Sequence, residues 1–145
     1  MFVGTSNYRV DEKGRIPIPP SFRREFTEGG YLTPGPEGCI WLYTISEFDE
    51  IAHGLKAEGL PKADQRRLTR ALFSDATDVK PDAQGRIALS TELREYAGIT
   101  DSVAVIGANT YVEVWDPERW HTWKSQQQQA WQVIETLEQK GPKTC

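Results

Sequence analysis

The sequence predicts an α+β fold: two tandem copies of a small β-hairpin/helix unit, packed as one pseudo-twofold globule with a barrel-like β core and peripheral helices. Three observations predict it. The chain of 145 residues repeats itself at an offset of 71, each copy carries a tight Asp-x-x-Gly turn followed by arginine, and β-rich runs follow each turn in matched order.

The repeat comes first. Residues 8–26 (YRVDEKGRIPIPPSFRREF) set above residues 79–97 (VKPDAQGRIALSTELREYA) bring Asp11 onto Asp82, Gly14 onto Gly85, Arg15 onto Arg86, Ile16 onto Ile87 and Arg23 onto Arg94. Ile18 falls on Leu89 and Phe22 on Leu93, so apolar character is kept as well. After a one-residue slip, residues 31–35 match 103–107, residues 39–43 match 111–115, Phe48 falls on Trp120 and Ile51 on Trp123.

Each element follows from local chemistry. A short strand runs into Asp-x-x-Gly and a second follows it, over 15–18 and 86–89. Asp at the first turn position accepts a backbone N–H and Gly at the fourth takes the left-handed conformation, which reads as a three-residue hairpin closed by a bulge. A brief helix starts next in each copy, with Ser90 as N-cap and Pro20 suited to a first helical turn. YLTP and CIWLY in copy one, and SVAVIG and TYVEVW in copy two, read as strand pairs joined by PGPEG and AN. Closing helices are expected over 46–56 and from Asp116 onward.

Between the copies a linker helix has Leu68, Ala71 and Leu72 as its apolar stripe, with Arg66, Arg67 and Arg70 largely off it. The tail over 120–139 is helical but broken by the glutamines of 126–129, and GPKTC is frayed. The chain divides into a first repeat (1–58), the linker (59–74), a second repeat (75–123) and a C-terminal helix with its tail (124–145). Units this small bury little core alone, so their short strands are expected to pair across the duplication.

Composition narrows the function classes. The hydrophobic content of 38% supplies a core, and no apolar run approaches the roughly 18 residues that cross a bilayer. The N-terminus does not read as a secretory signal, so a soluble, cytoplasmic protein is expected. Cys39 and Cys145 make neither a disulfide framework nor a zinc knuckle. His53 and His121 lack partners at metal-ligand spacing, and Asp49, Glu50 and Glu58 read as a solvated helix face. No phosphate-binding glycine loop or nucleophile motif is present. The chain is therefore expected to be no enzyme, with no catalytic or metal-binding residues, no cofactor and no small-molecule substrate. Trp41 and Trp115 read as strand core; Trp120, Trp123 and Trp131 read as either helix packing or a subunit contact.

Net charge is −4, yet residues 1–26 carry +2 and residues 61–94 carry +2, leaving −8 for the rest. A polyanion touched by one face would suit that partition. Arg15 and Arg86 leave the chain close to the two turn tips, with Lys13 and Gln84 inside the turns and Arg9 just before the first. All can hydrogen-bond phosphates or base edges, while Asp11, Gly14, Asp82 and Gly85 shape the turns. Two further readings stand beside this one. Each arginine can pair with its own turn aspartate as local support, or the tips can serve a protein-interaction scaffold by gripping a partner's carboxylates.

The opening MFVG, then DEKGRIPIP, DAQGRIALS and WDPERW, together resemble the bacterial MraZ family, part of the AbrB-like swapped-hairpin group of DNA-binding regulators. The resemblance runs from Met1 to Trp123. It implies two AbrB-like halves in one chain, a ring-shaped homo-oligomer, and binding to repeated sites in double-stranded promoter DNA of the division and cell-wall gene cluster, on the nucleoid. It also implies that residues 11–15 and 82–86 lie on the DNA-facing surface.

Overall fold

Four strands come from each copy, and every one of them has a partner in the other copy. The computed structural model describes residues 1–57 and 59–140; the expected fraying of GPKTC lies outside the described residues. Copy one supplies β1 (Thr5–Arg9), β2 (Arg15–Pro17), β3 (Gly30–Pro34) and β4 (Ile40–Thr44). Copy two supplies β5 (Thr77–Val79), β6 (Arg86–Ala88), β7 (Ser102–Ala108) and β8 (Tyr111–Trp115). The helices are α1 (Ile45–Ala57), α2 (Lys62–Phe73), α3 (Thr91–Ala97), α4 (Pro117–Ser125) and α5 (Gln128–Lys140).

Six strands form an antiparallel sheet in the order β1-β7-β8-β4-β3-β5, and β2 pairs with β6 in a separate two-stranded ribbon. The order is a palindrome of the duplication. From either edge inward it runs first strand of one copy, third of the other, fourth of the other. The pseudo-twofold axis passes between β8 and β4, and in the ribbon between Ile16 and Ile87, which face each other.

This arrangement corrects the local-hairpin expectation. The Asp-x-x-Gly turns close as predicted, with Gly14 N–H donating to Asp11 O at 3.0 Å and Asp11 N–H to Arg15 O at 3.0 Å, matched by 2.9 and 2.9 Å at Asp82. The flanking strands then part: β1 pairs with β7, and β2 crosses to β6. The bulge at each left-handed glycine adds twist that turns the second strand out of the first strand's plane. The barrel-like core is not confirmed: the strand order ends at β1 and β5 without joining them, a sheet with a ribbon packed on it.

The core lies between those two layers. Leu32, Ile40, Leu42, Val103, Val105, Val112 and Val114 come from the sheet's inner face, and Ile16, Ile18, Ile87 and Leu89 from the ribbon's. Strand alternation sends Arg15, Pro17, Arg86 and Ala88 to the ribbon's outer side. Leu93 and Ala97 of α3 close one flank, and Phe22 and Phe26 the other, with Phe2 edge-on to Phe22 at 5.0 Å and stacked on Phe26 at 5.4 Å.

The two flanks differ for a chemical reason. Ser90 caps α3 by accepting from Leu93 N–H at 3.2 Å, whereas copy one makes only a 3-10 turn over Arg23–Phe26 with no side-chain cap. The carbonyls of Pro19 and Pro20 accept from Phe22 and Arg23 in i+3 bonds, so this segment winds as tight 3-10 turns where a short helix was expected.

On the sheet's other face α1, α2 and α4 pack. Trp120 and Trp123 of α4 stack at 5.2 Å, and Trp120 lies 5.5 Å from Trp115, so both pack within the chain. The linker helix departs from expectation: α2 buries no residue and leaves Leu68 44% exposed, with Arg66 and Arg70 turned toward α1. No described helix is long and apolar enough to cross a membrane.

Because the strands are exchanged, neither copy has a core of its own. Ile87→Ala, at the centre of the ribbon, should therefore lower stability by about 2–4 kcal/mol and leave a single urea transition. Two separate transitions would mean that the halves fold independently.

Candidate functional site

The outer face of the β2–β6 ribbon collects the residues that the repeat singled out. Asp11 Oδ1 accepts from Lys13 N–H at 2.9 Å and Arg15 N–H at 2.8 Å; Asp82 Oδ1 accepts from Gln84 N–H and Arg86 N–H, both at 2.9 Å. The second carboxylate oxygen holds the arginine: Arg15 Nε donates to Asp11 Oδ2 at 2.8 Å and Arg86 Nε to Asp82 Oδ2 at 2.9 Å. Local support of the arginine by its own aspartate, the plainer of the sequence readings, is thus present.

Each arginine also reaches across the duplication. Arg15 Nη1 lies 3.7 Å from Asp82 Oδ2, and Arg86 Nη1 lies 3.7 Å from Asp11 Oδ2. The reason is register. Arg15 sits opposite Ala88 and Arg86 opposite Pro17, so the two arginines are diagonal neighbours on one face of a twisted ribbon. The four side chains form a crossed square, each about 27–32% exposed.

Two further arginines belong here that sequence reasoning left out of the site. Arg23 Nε donates to Ile18 O at 2.9 Å, and Arg94 Nε to Leu89 O at 3.2 Å. Their guanidinium groups lie over the opposite copy's turn. A Cβ built on Gly85 would come within 2.5 Å of Arg23 Nε, and one on Gly14 within 3.1 Å of Arg94 Cζ. Both glycines have positive φ, +77° and +74°, so they serve the turn and the close approach together. The one available signal was Arg23 falling on Arg94 in the repeat.

Lys13 and Gln84 stand exposed at the turn tips. Arg9 is exposed but faces elsewhere: Tyr8 packs on the core, so alternation along β1 sends Arg9 to the helix side of the sheet, away from the ribbon's outer face. With Lys13 and Glu12 the ribbon face carries five cations against three carboxylates.

Electrostatics reinforce the square. Asp11 is held below the ordinary 3.8, first by the Arg15 backbone N–H and then, against a desolvation penalty, by the arginine side chain; Asp82 is held low first by the Arg86 backbone N–H and then, against desolvation, by the Gln84 backbone N–H and the Arg86 side chain. Each guanidinium keeps Nη donors beyond those its aspartates occupy. Planar forks fixed in this way are suited to oxyanions such as phosphate.

A second polar cluster lies on the opposite sheet face. Glu113 accepts from Trp41 Nε1 at 2.8 Å and Trp115 Nε1 at 3.1 Å, with Cys39 Sγ at 3.8 Å. Burial, then the neighbouring Glu113 charge, pushes the Cys39 thiol up to about 12, so it is not a nucleophile.

With this geometry in hand, kinship is decisive. The model of the MraZ protein family matches twice in tandem, over residues 1–71 and 72–138. This chain belongs to the MraZ family. A Dehalococcoides mccartyi protein (strain BAV1) is 47% identical over 141 residues, covering 96% of this chain and 99% of that one, and a second strain's protein is 46% identical over 140 residues. A Micrococcus luteus protein is 42% identical over 130 residues, covering 90% and 91%. All three are named transcriptional regulator MraZ. The tandem match agrees with the two MraZ-type units of the fold, whose ribbon joins one turn from each.

The aspartates set an acid limit. Their folded-state pKa is depressed, so their contribution to stability is present above about pH 4 and is lost as pH falls through the folded value. Urea titrations from pH 6 to pH 2.5 should show stability falling below pH 4, and Asp11→Asn with Asp82→Asn should flatten that fall. An equally steep fall in the double variant would place the acid sensitivity elsewhere.

Proposed function

We propose that this chain is a sequence-specific, double-stranded-DNA-binding transcriptional regulator that acts in the cytoplasm on the nucleoid. It works as a homo-oligomer, a ring in the reading that the family suggests, on repeated promoter sites of the division and cell-wall gene cluster. Its working units are 1–58 and 75–123, joined by 59–74, with 124–145 as the tail. The observation that carries this reading is the gathering of Arg15 and Arg86 on one ribbon face, beside Arg23, Arg94 and Lys13.

A protein of net charge −4 can attract DNA only where its cations are concentrated, and the ribbon face meets that requirement. Arg15, Arg86, Lys13 and Gln84 are the proposed DNA contacts. Asp11 and Asp82 orient the arginines, and Gly14 and Gly85 allow the turns. Arg9 is proposed to reach flanking phosphate from the sheet edge. One ribbon neutralises few phosphates, so each copy binds weakly. Assembly then multiplies contacts through effective concentration and favours sites at fixed spacing. Membrane and small-molecule partners have no part in this reading.

Fluorescence anisotropy on a duplex bearing direct repeats, titrated with salt, provides the test. Arg15→Ala with Arg86→Ala should weaken binding by on the order of tenfold or more, and Lys13→Ala, on an exposed side chain, should lower the salt slope by about one. Unchanged affinity and slope in folded, assembled variants would remove the ribbon from the interface. Equal retention of a scrambled duplex would favour the scaffold reading over sequence-specific binding.

A further inference from the structure

Two surfaces among the described residues fit one another. The first is α5, where Trp131 is 55% exposed, Val133 60%, Ile134 43% and Leu137 64%. With Ala130 these residues fall within one stripe of the helix; Glu138 and Glu135 flank Trp131 along its acidic edge. An apolar stripe with one acidic border is the pattern of a helix that docks. The second surface is the groove between α1 and α2. Its floor is Ala52, Leu55 and Phe73, and its rim on α2 is Lys62, Arg66 and Arg70, a row at four-residue spacing. Helix α2 buries no residue, so the α1–α2 pair is a two-helix layer open to a third helix.

We propose that α5 of one copy docks into the α1–α2 groove of a neighbouring copy, completing a three-helix bundle, with Glu135 and Glu138 against Arg66 and Arg70. This inference rests on the oligomer part of the proposed function and assigns its contact surfaces. Three features of the two surfaces support it. Charge is complementary, acid on the helix and base on the rim. Length is matched, since α5 has 13 residues and α2 has 12, each about 20 Å of helix. The apolar character also agrees, as large side chains on the helix meet a floor of Ala52, Leu55 and Phe73. Donor and acceptor surfaces lie on the same chain, at opposite ends of its helical layer: α4, which leads into α5, packs on β7, while α1 and α2 pack on β3 and its neighbour. Such a contact is heterologous and generates closed rings when its rotation closes.

The test uses full-length chains without DNA, so its outcome is independent of the DNA reading. One variant carries Arg66→Glu and Arg70→Glu, and a second carries Glu135→Lys and Glu138→Lys; all four positions are surface sites, and circular dichroism checks the fold. Sedimentation velocity should show each variant alone assembling at a concentration on the order of a hundredfold higher than the unmodified chain, as like charges juxtaposed across an interface require. Mixing the two should restore assembly, because each acidic groove then meets a basic helix and each basic groove an acidic one. If mixing fails but all four changes in one chain restore the unmodified behaviour, α5 docks in its own groove and the proposal is wrong. If neither variant shifts assembly, the oligomer stands and this interface does not. An unmodified chain that stays single at every concentration overturns both.

Discussion

β2 and β6 are three residues each, and neither has a partner within its own copy. Paired with each other they form a ladder that continues past its formal ends, where Ile18 N–H donates to Gly85 O at 2.8 Å and Leu89 N–H to Gly14 O at 2.9 Å. Each turn glycine therefore accepts the last rung of the opposite strand. That pairing dictates much of the rest. The ribbon's inner face delivers four large aliphatic residues to the core, its outer face delivers the arginines, and crossing to reach it obliges β1 and β5 to join the other copy's sheet strands.

The crossed square of Asp11, Arg15, Asp82 and Arg86 follows from the same pairing. Ion pairs this exposed contribute little to stability, so they are not what holds the arginines in place. Position comes from the backbone: each aspartate is fixed by two N–H groups of its own turn, and each arginine by its rung in the ladder. The carboxylates then settle the rotamer. The result is a pair of guanidinium groups held ready at low energetic cost; in the proposed DNA reading, a phosphate meets the remaining Nη donors without a long side chain first having to be ordered.

Much of the local chemistry was legible in the sequence. The duplication, both Asp-x-x-Gly turns and the Ser90 cap depend on near neighbours, and near neighbours are what a sequence displays. Strand exchange was legible only in outline: units too small to bury a core alone imply pairing across the duplication, but nothing in residues 5–9 distinguishes pairing with residues 15–17 from pairing with β7. The same holds for Arg15, whose second carboxylate is 67 residues away, and for Arg23, which acts over a glycine 62 residues on. Arg9 was grouped with the tips by proximity along the chain, but a single step of strand parity sends it to the other face. The 3-10 turn after Pro20 shows the limit of residue preference: proline suits a helix start, yet the segment has no side-chain cap and its carbonyls accept at i+3. In α2 the leucine stripe did not foretell the packing: Leu68 is exposed, and the exposed Arg66 and Arg70 line a groove with α1.

The central claim is that the ribbon binds the two turns into one structural unit. Native-state hydrogen exchange at the Ile18 and Leu89 amides tests it most directly, because these are the rungs that join each strand to the opposite turn. The account predicts that both amides exchange only through global unfolding, with equal free energies and the same dependence on denaturant. Exchange of either amide through a local opening of lower free energy, with the other still protected, would contradict it.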